Sequence, residues 1–141
     1  MPDNNDKNLK QRIIEEMSVD YADTLEKNFD LAKRLMKITT SGTVDVQNKK
    51  SLTGKDQILL YLIGKIYAKK AELSETESVG NEELMIELGI KKGSVLLWLK
   101  ELRDSGKIKT MKESNKAYHT VPLNLIEKIL KEIGNKNNKG V

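Results

Sequence analysis

The sequence predicts a mainly α-helical protein carrying one small β-hairpin. Three observations predict it. Apolar residues recur at three- and four-residue steps over several stretches, the period of a helix with one buried face. Gly89 and Gly106 stand just after two such stretches, where a left-handed residue ends a helix. Residues 107–111 and 117–121 read as two short strands flanking Glu113-Ser114-Asn115-Lys116, a turn by composition.

Taken in order, residues 1–8 are polar and read as a disordered tail. Over 9–38, Ile14, Met17, Tyr21, Leu25, Phe29, Ala32 and Leu35 repeat at helical steps with no Pro or Gly between them. One long amphipathic helix is expected there, a candidate for dimerisation. Residues 39–53 are rich in Thr, Ser, Gly and Asn and read as a linker. That makes the preceding helix an appendage. Thr53 and Asp56 have the spacing of a capping box, with Asp shorter than the usual Glu. The helix after them runs to about residue 73 and is apolar around much of its circumference, so it must be covered on more than one side. Gly64 in its middle implies that a neighbouring helix crosses closely.

Ser78-Val79-Gly80 fits a very short strand. Asn81 is a good N-cap, Glu82 and Glu83 complement the start of the next helix, and Leu84, Met85 and Leu88 give its inner face. Gly89 ends it, and Ile90-Lys91-Lys92 is a turn. The helix over 93–105 sets Val95, Trp98, Leu99 and Leu102 on one face, with Trp98 expected to pack inward. Pro122 follows the hairpin, and a last helix over 123–133 carries Leu123, Ile126, Ile129, Leu130 and Ile133. The carboxy-terminal unit is thus 122–134, with 135–141 a frayed tail.

Composition excludes much chemistry. With 0 Cys and 1 His there are no disulfides, thiolate metal sites or multi-histidine centres. Lys49 and Asp56 break any phosphate-loop reading of Gly54-Lys55, and Glu15-Glu16 and Glu82-Glu83 are adjacent pairs that diverge on a helix. No enzyme and no cofactor is expected. The longest apolar run, 58–63, is too short to cross a bilayer, and the first residues lack the apolar core of a signal peptide. A cytoplasmic protein is expected. Charge is uneven: residues 91–141 hold 12 basic and 5 acidic residues, against 9 and 9 in 1–50 and 4 and 7 in 51–90. A basic last third fits a polyanion, although 22 of the 25 basic residues are Lys, which also serves as a solubiliser.

The residues Leu84, Leu88, Gly89, Ile90, Ser94, Val95, Leu99, Leu102, Gly106 and Ile108, with the order helix, short strand, helix, turn, helix, hairpin, resemble the winged helix-turn-helix superfamily. The resemblance covers 54–121, about half of the chain. It implies a winged helix-turn-helix core with added amino- and carboxy-terminal helices, a recognition helix at 93–105 and a wing at 107–121. It further implies double-stranded DNA as partner and transcriptional regulation as function, with the helix in the major groove. The candidate DNA-binding residues are Lys91, Lys92 and Ser94 at the start of that helix, then Lys100 and Arg103, which can reach phosphates or, for Arg103, a guanine edge. In the wing they are Lys107, Lys109, Lys112 and Lys116, with His119 as a hydrogen-bonding group. Lys91 and Lys92 equally suit a solvated turn, and the alternative for Lys100 and Arg103 is an ordinary exposed helix face with Glu101 and Asp104 as partners. Leu96 and Leu97 stand where DNA-reading helices usually carry polar groups. They point to a protein partner, and to an alternative role as a protein-interaction adaptor in a transcription, replication or chromosome-maintenance assembly. RNA is a weaker alternative, since aromatic content is 4%. A homodimer is expected to form through the 9–38 and 123–133 helices.

Overall fold

The computed structural model describes residues 8–18 and 23–139, with side chains to residue 136. The protein is mainly helical with two small antiparallel sheets. Among the described residues no helix is long and apolar enough to cross a membrane.

The amino-terminal part departs from the expected single helix. It forms α1 (Leu9–Glu16), α2 (Thr24–Lys27) and α3 (Phe29–Leu35), then turns into strand β1 (Met36–Ile38). Residues 19–22 of the expected helix, and all of the expected 1–8 tail except Asn8, lie outside the described residues. Asn8 caps α1 by accepting the Gln11 N–H at 2.9 Å, and every α1 side chain is exposed. Buried Asn28 separates α2 from α3 and spends its side-chain amide on the Thr24 carbonyl at 2.9 Å.

The expected linker is instead structural. β2 (Val44–Val46) pairs with β1 in the register Met36↔Val46, Lys37↔Asp45, Ile38↔Val44. Gly42 takes a positive φ of 88° in the connecting turn, and Thr39 and Thr43 bond each other there. Met36, Val44 and Val46 are buried, while the opposed Lys37 and Asp45 are exposed. The strands are two-faced, with their inner face on α4 (Gly54–Lys70). Gly64 belongs to this contact. A Cβ there would lie 2.5 Å from Val44 Cγ1 and 3.1 Å from Met36 Sδ. The close neighbour at Gly64 is therefore this hairpin rather than a helix.

Helix α4 is the centre of the molecule. Thr53 caps it by accepting the Asp56 N–H at 3.1 Å. Ile58 to Ile63 are all buried, and α4 packs against both β1 and β2, α5 (Asn81–Leu88), α6 (Lys92–Asp104) and α7 (Leu123–Lys139). One apolar core runs from Ala32 and Leu35 through α4 to Ile133. The segment from Leu25 to residue 53 is thus part of the core and not an appendage, while α1 contributes no buried residue. Lys65 is buried within α4; its ammonium donates to Glu83 of α5 at 2.9 Å and to the Gly42 carbonyl at 3.1 Å. The Tyr61 hydroxyl donates to the same carboxylate, and burial, then Glu83, raises its pKa well above the usual tyrosine value.

After α4, β3 (Val79–Gly80) leads into α5, with Gly80 rather than Asn81 at the N-cap. Gly89 ends α5 with φ 65°, and half-buried Ile90 packs on the core between the helices. Gly106, φ 77°, turns the chain from α6 towards β4 (Lys109–Glu113) and β5 (Lys116–Thr120). Ser114 and Asn115 both take positive φ, making a two-residue hairpin loop whose twist matches its strands. β3 adds to this hairpin in the order β3-β5-β4. The last helix runs on to Lys139, past the expected stop at Gly134, so most of the expected 135–141 tail is helical and only 140–141 lie outside the described residues. Its Lys136 reaches back to Asp56 at 3.0 Å. Ile126, Ile129, Leu130 and Ile133, expected to pair two copies, are buried in their own chain.

Candidate nucleic-acid interface

Helix α6 has three sides. Val95, Leu99 and Leu102 are buried against the core. On a second side Trp98 is half-buried, its ring seated against the bare Cα of Gly54, and Glu101 meets Lys55 at 2.6 Å. Trp98 thus packs inward as expected, and both contacts fix α6 against the start of α4. The third side, with Leu96, Leu97, Lys100 and Arg103, is exposed.

The hairpin register sorts the wing residues. Lys112 pairs with Ala117 and Thr110 with His119, and cross-strand partners share a face. These four residues, with Asn81, Leu96, Leu99, Lys100 and Arg103, line one groove of about 640 Å³ between α6 and the hairpin. Lys109, paired with Thr120, and Lys116, paired with Glu113, belong to the other face of the hairpin. Lys91 and Lys92 are exposed at the start of α6, with Lys91 in the N-cap position; Ser94 and Lys107 are half-buried. So the structure brings Lys100, Arg103 and Lys112 together in one groove and leaves Lys91, Lys92, Lys107, Lys109 and Lys116 outside its lining.

Carboxylates pair with other lysines: Glu101 with Lys55, Glu83 with Lys65, Glu127 with Lys131 and Asp56 with Lys136. Among the described residues, Lys100 is the only one of the sequence-derived cations with an acidic partner, Asp104 at 3.2 Å, and that pair is mostly exposed. An exposed pair of this kind holds its lysine weakly.

His119 does not serve as an exposed hydrogen-bonding group. It is 1% exposed. Its Nε2 lies 2.6 Å from Asn81 Oδ1 and its Nδ1 lies 2.8 Å from Thr110 Oγ1. With Asn81 accepting, Nε2 carries the proton and Nδ1 accepts from the Thr110 hydroxyl. Burial, and secondarily the Arg103 guanidinium, lower its pKa to about 4. It clamps the hairpin to the start of α5 and forms the groove floor. Asn81 and Thr110, missed as groove residues in the sequence, carry no charge; the strand register places Thr110 here, and the contact with His119 places Asn81. Among the described residues no group of three His, Cys, Asp or Glu side chains is placed to hold a metal. No protein family, no curated protein and no solved structure matches the chain.

Proposed function

We propose that this chain binds double-stranded DNA as a winged helix-turn-helix transcriptional regulator. In this reading α4, α5 and α6 are the three helices, β3, β4 and β5 the small sheet, and β4–β5 the wing. The order helix, strand, helix, helix, hairpin and the sheet order β3-β5-β4 support it. The observation that carries the DNA assignment is the groove between α6 and the hairpin, which Lys100, Arg103 and Lys112 line together, with Lys91 and Lys92 exposed at the start of the same helix. Such a cluster suits a phosphate strand, with α6 in the major groove. Of the two segments expected to pair copies, 9–38 and 123–133, the first keeps exposed apolar residues, Leu9, Ile13 and Met17, and the same reading pairs the copies there.

The test is fluorescence anisotropy with a random duplex over a salt series. Lys100→Ala with Arg103→Ala is expected to weaken binding and to lower the slope of log affinity against log salt by about 0.9 for each phosphate that is no longer neutralised. An unchanged slope removes these two residues from the interface. A protein-interaction adaptor is the second reading, favoured by the exposure of Leu96 and Leu97. Absence of duplex binding at micromolar protein and low salt selects it.

A further inference from the structure

The exposed side of α6 carries a chemistry that its cations do not explain. Leu96 and Leu97 are 43% and 53% exposed, while Val95 and Leu99 beside them are buried. Leu96, Lys100 and Arg103 follow at four- and three-residue steps and so form one ridge along the groove. Leu97 lies one residue round the helix from that ridge, on the same exposed side. Leu96 and Ala117 line the same groove as Lys100, Arg103 and Lys112. An occupant of this side must offer both negative charge and an apolar group.

The first half of α6 has no amide side chain to read adenine and only Lys92 to reach a guanine edge; beside it stand Gly93, Ser94, Leu96 and Leu97. A DNA duplex still meets both demands. Its phosphates border the major groove, and the pyrimidine 5-methyl of thymine is the apolar group on the groove floor.

We propose that Leu96 and Leu97 read pyrimidine 5-methyl groups, so that the protein favours duplex steps containing thymine or 5-methylcytosine. The inference rests on the DNA-binding reading above and names what its recognition helix selects. The cations supply affinity without regard to sequence, and the leucine pair supplies the preference.

The experiment compares alternating d(A-T) and d(A-U) duplexes of equal length at one salt concentration. They carry the same phosphates and differ in the methyl groups. Burial of one methyl group is worth about fourfold in affinity, so d(A-U) is expected to bind about fourfold more weakly per methyl buried. Alternating d(G-C) with every cytosine 5-methylated is expected to bind more tightly than its unmethylated form by a similar factor. The double variant Leu96→Ala, Leu97→Ala is expected to lose both differences while keeping the wild-type salt slope. Both side chains are exposed, and circular dichroism confirms that the variant folds. Equal affinity for d(A-T) and d(A-U) overturns the methyl preference and leaves DNA binding standing. A difference that survives in the double variant overturns the leucine assignment. Binding to no duplex at all overturns the DNA reading itself.

Discussion

His119 makes the protein's stability depend on pH in a window where few other groups titrate. The imidazole is buried, both nitrogens are engaged, and its folded pKa is about 4 against an ordinary 6.5. The unfolded chain therefore binds a proton more readily than the folded one. Stability is full above pH 6.5, declines as pH falls below it, and the loss is complete below about 4. Integrating this linkage from pH 7 to pH 5 gives a loss of about 2 kcal/mol. Urea denaturation at both pH values, on the wild type and on His119→Gln, measures it. The wild type is expected to lose about 2 kcal/mol more than the variant, since carboxylates outside the site titrate equally in both. As the chain has 1 His, its ring proton resonances give the folded pKa directly. A ring that titrates near 6.5 in the folded protein, or equal pH slopes for the two proteins, would refute the reasoning.

Other expectations follow from packing. Gly64→Ala places a methyl 2.5 Å from Val44 Cγ1 and is expected to destabilise by about 1–3 kcal/mol, measured by denaturation. This outcome opposes the gain of about 1 kcal/mol that Ala brings to a free helix. Gly54→Ala would press on the Trp98 ring and is expected to shift the fluorescence of the protein's single Trp while weakening the fold by a similar amount. Lys65→Met leaves Glu83 and the Gly42 carbonyl without their ammonium. Glu83 is 30% exposed, so the cost is expected near 2 kcal/mol, below that of a fully buried pair, and Glu83→Gln added to it recovers part of the loss in urea melts. Leu130→Ala, in α7, is expected to cost about 2–5 kcal/mol in thermal or urea unfolding, because its side chain is fully enclosed.

The second half of the chain was legible because its punctuation is chemical. Gly89 and Gly106 take the positive φ that their positions after apolar stripes imply, Thr53 caps α4, and Ser114-Asn115 form the hairpin turn. The first half was not, because two signals there are ambiguous. Thr, Ser and Gly at 39–43 suit a linker and a hairpin turn alike. The alternation Met36-Lys37-Ile38 and Val44-Asp45-Val46 on either side was the signal for strands, but at three residues each it is too short to outweigh the helical period running into it. Of the candidate site, the cations were legible as charge. Their division between the groove and the far face of the hairpin was not, since one residue of register decides it. His119 could be found in sequence but not its burial, which depends on Asn81, 38 positions away.

The seat of the β1–β2 hairpin over Gly64 has a mechanical consequence. Residues before and after the central helix lean on one shared wall, so neither part has an interior of its own to fall back on. A protease cut in the Thr39–Thr43 turn would sever the backbone yet release no arm, because the two pieces stay clasped through buried methyl groups. Heating is then expected to melt the whole assembly in one step, the cut merely lowering the temperature at which it lets go.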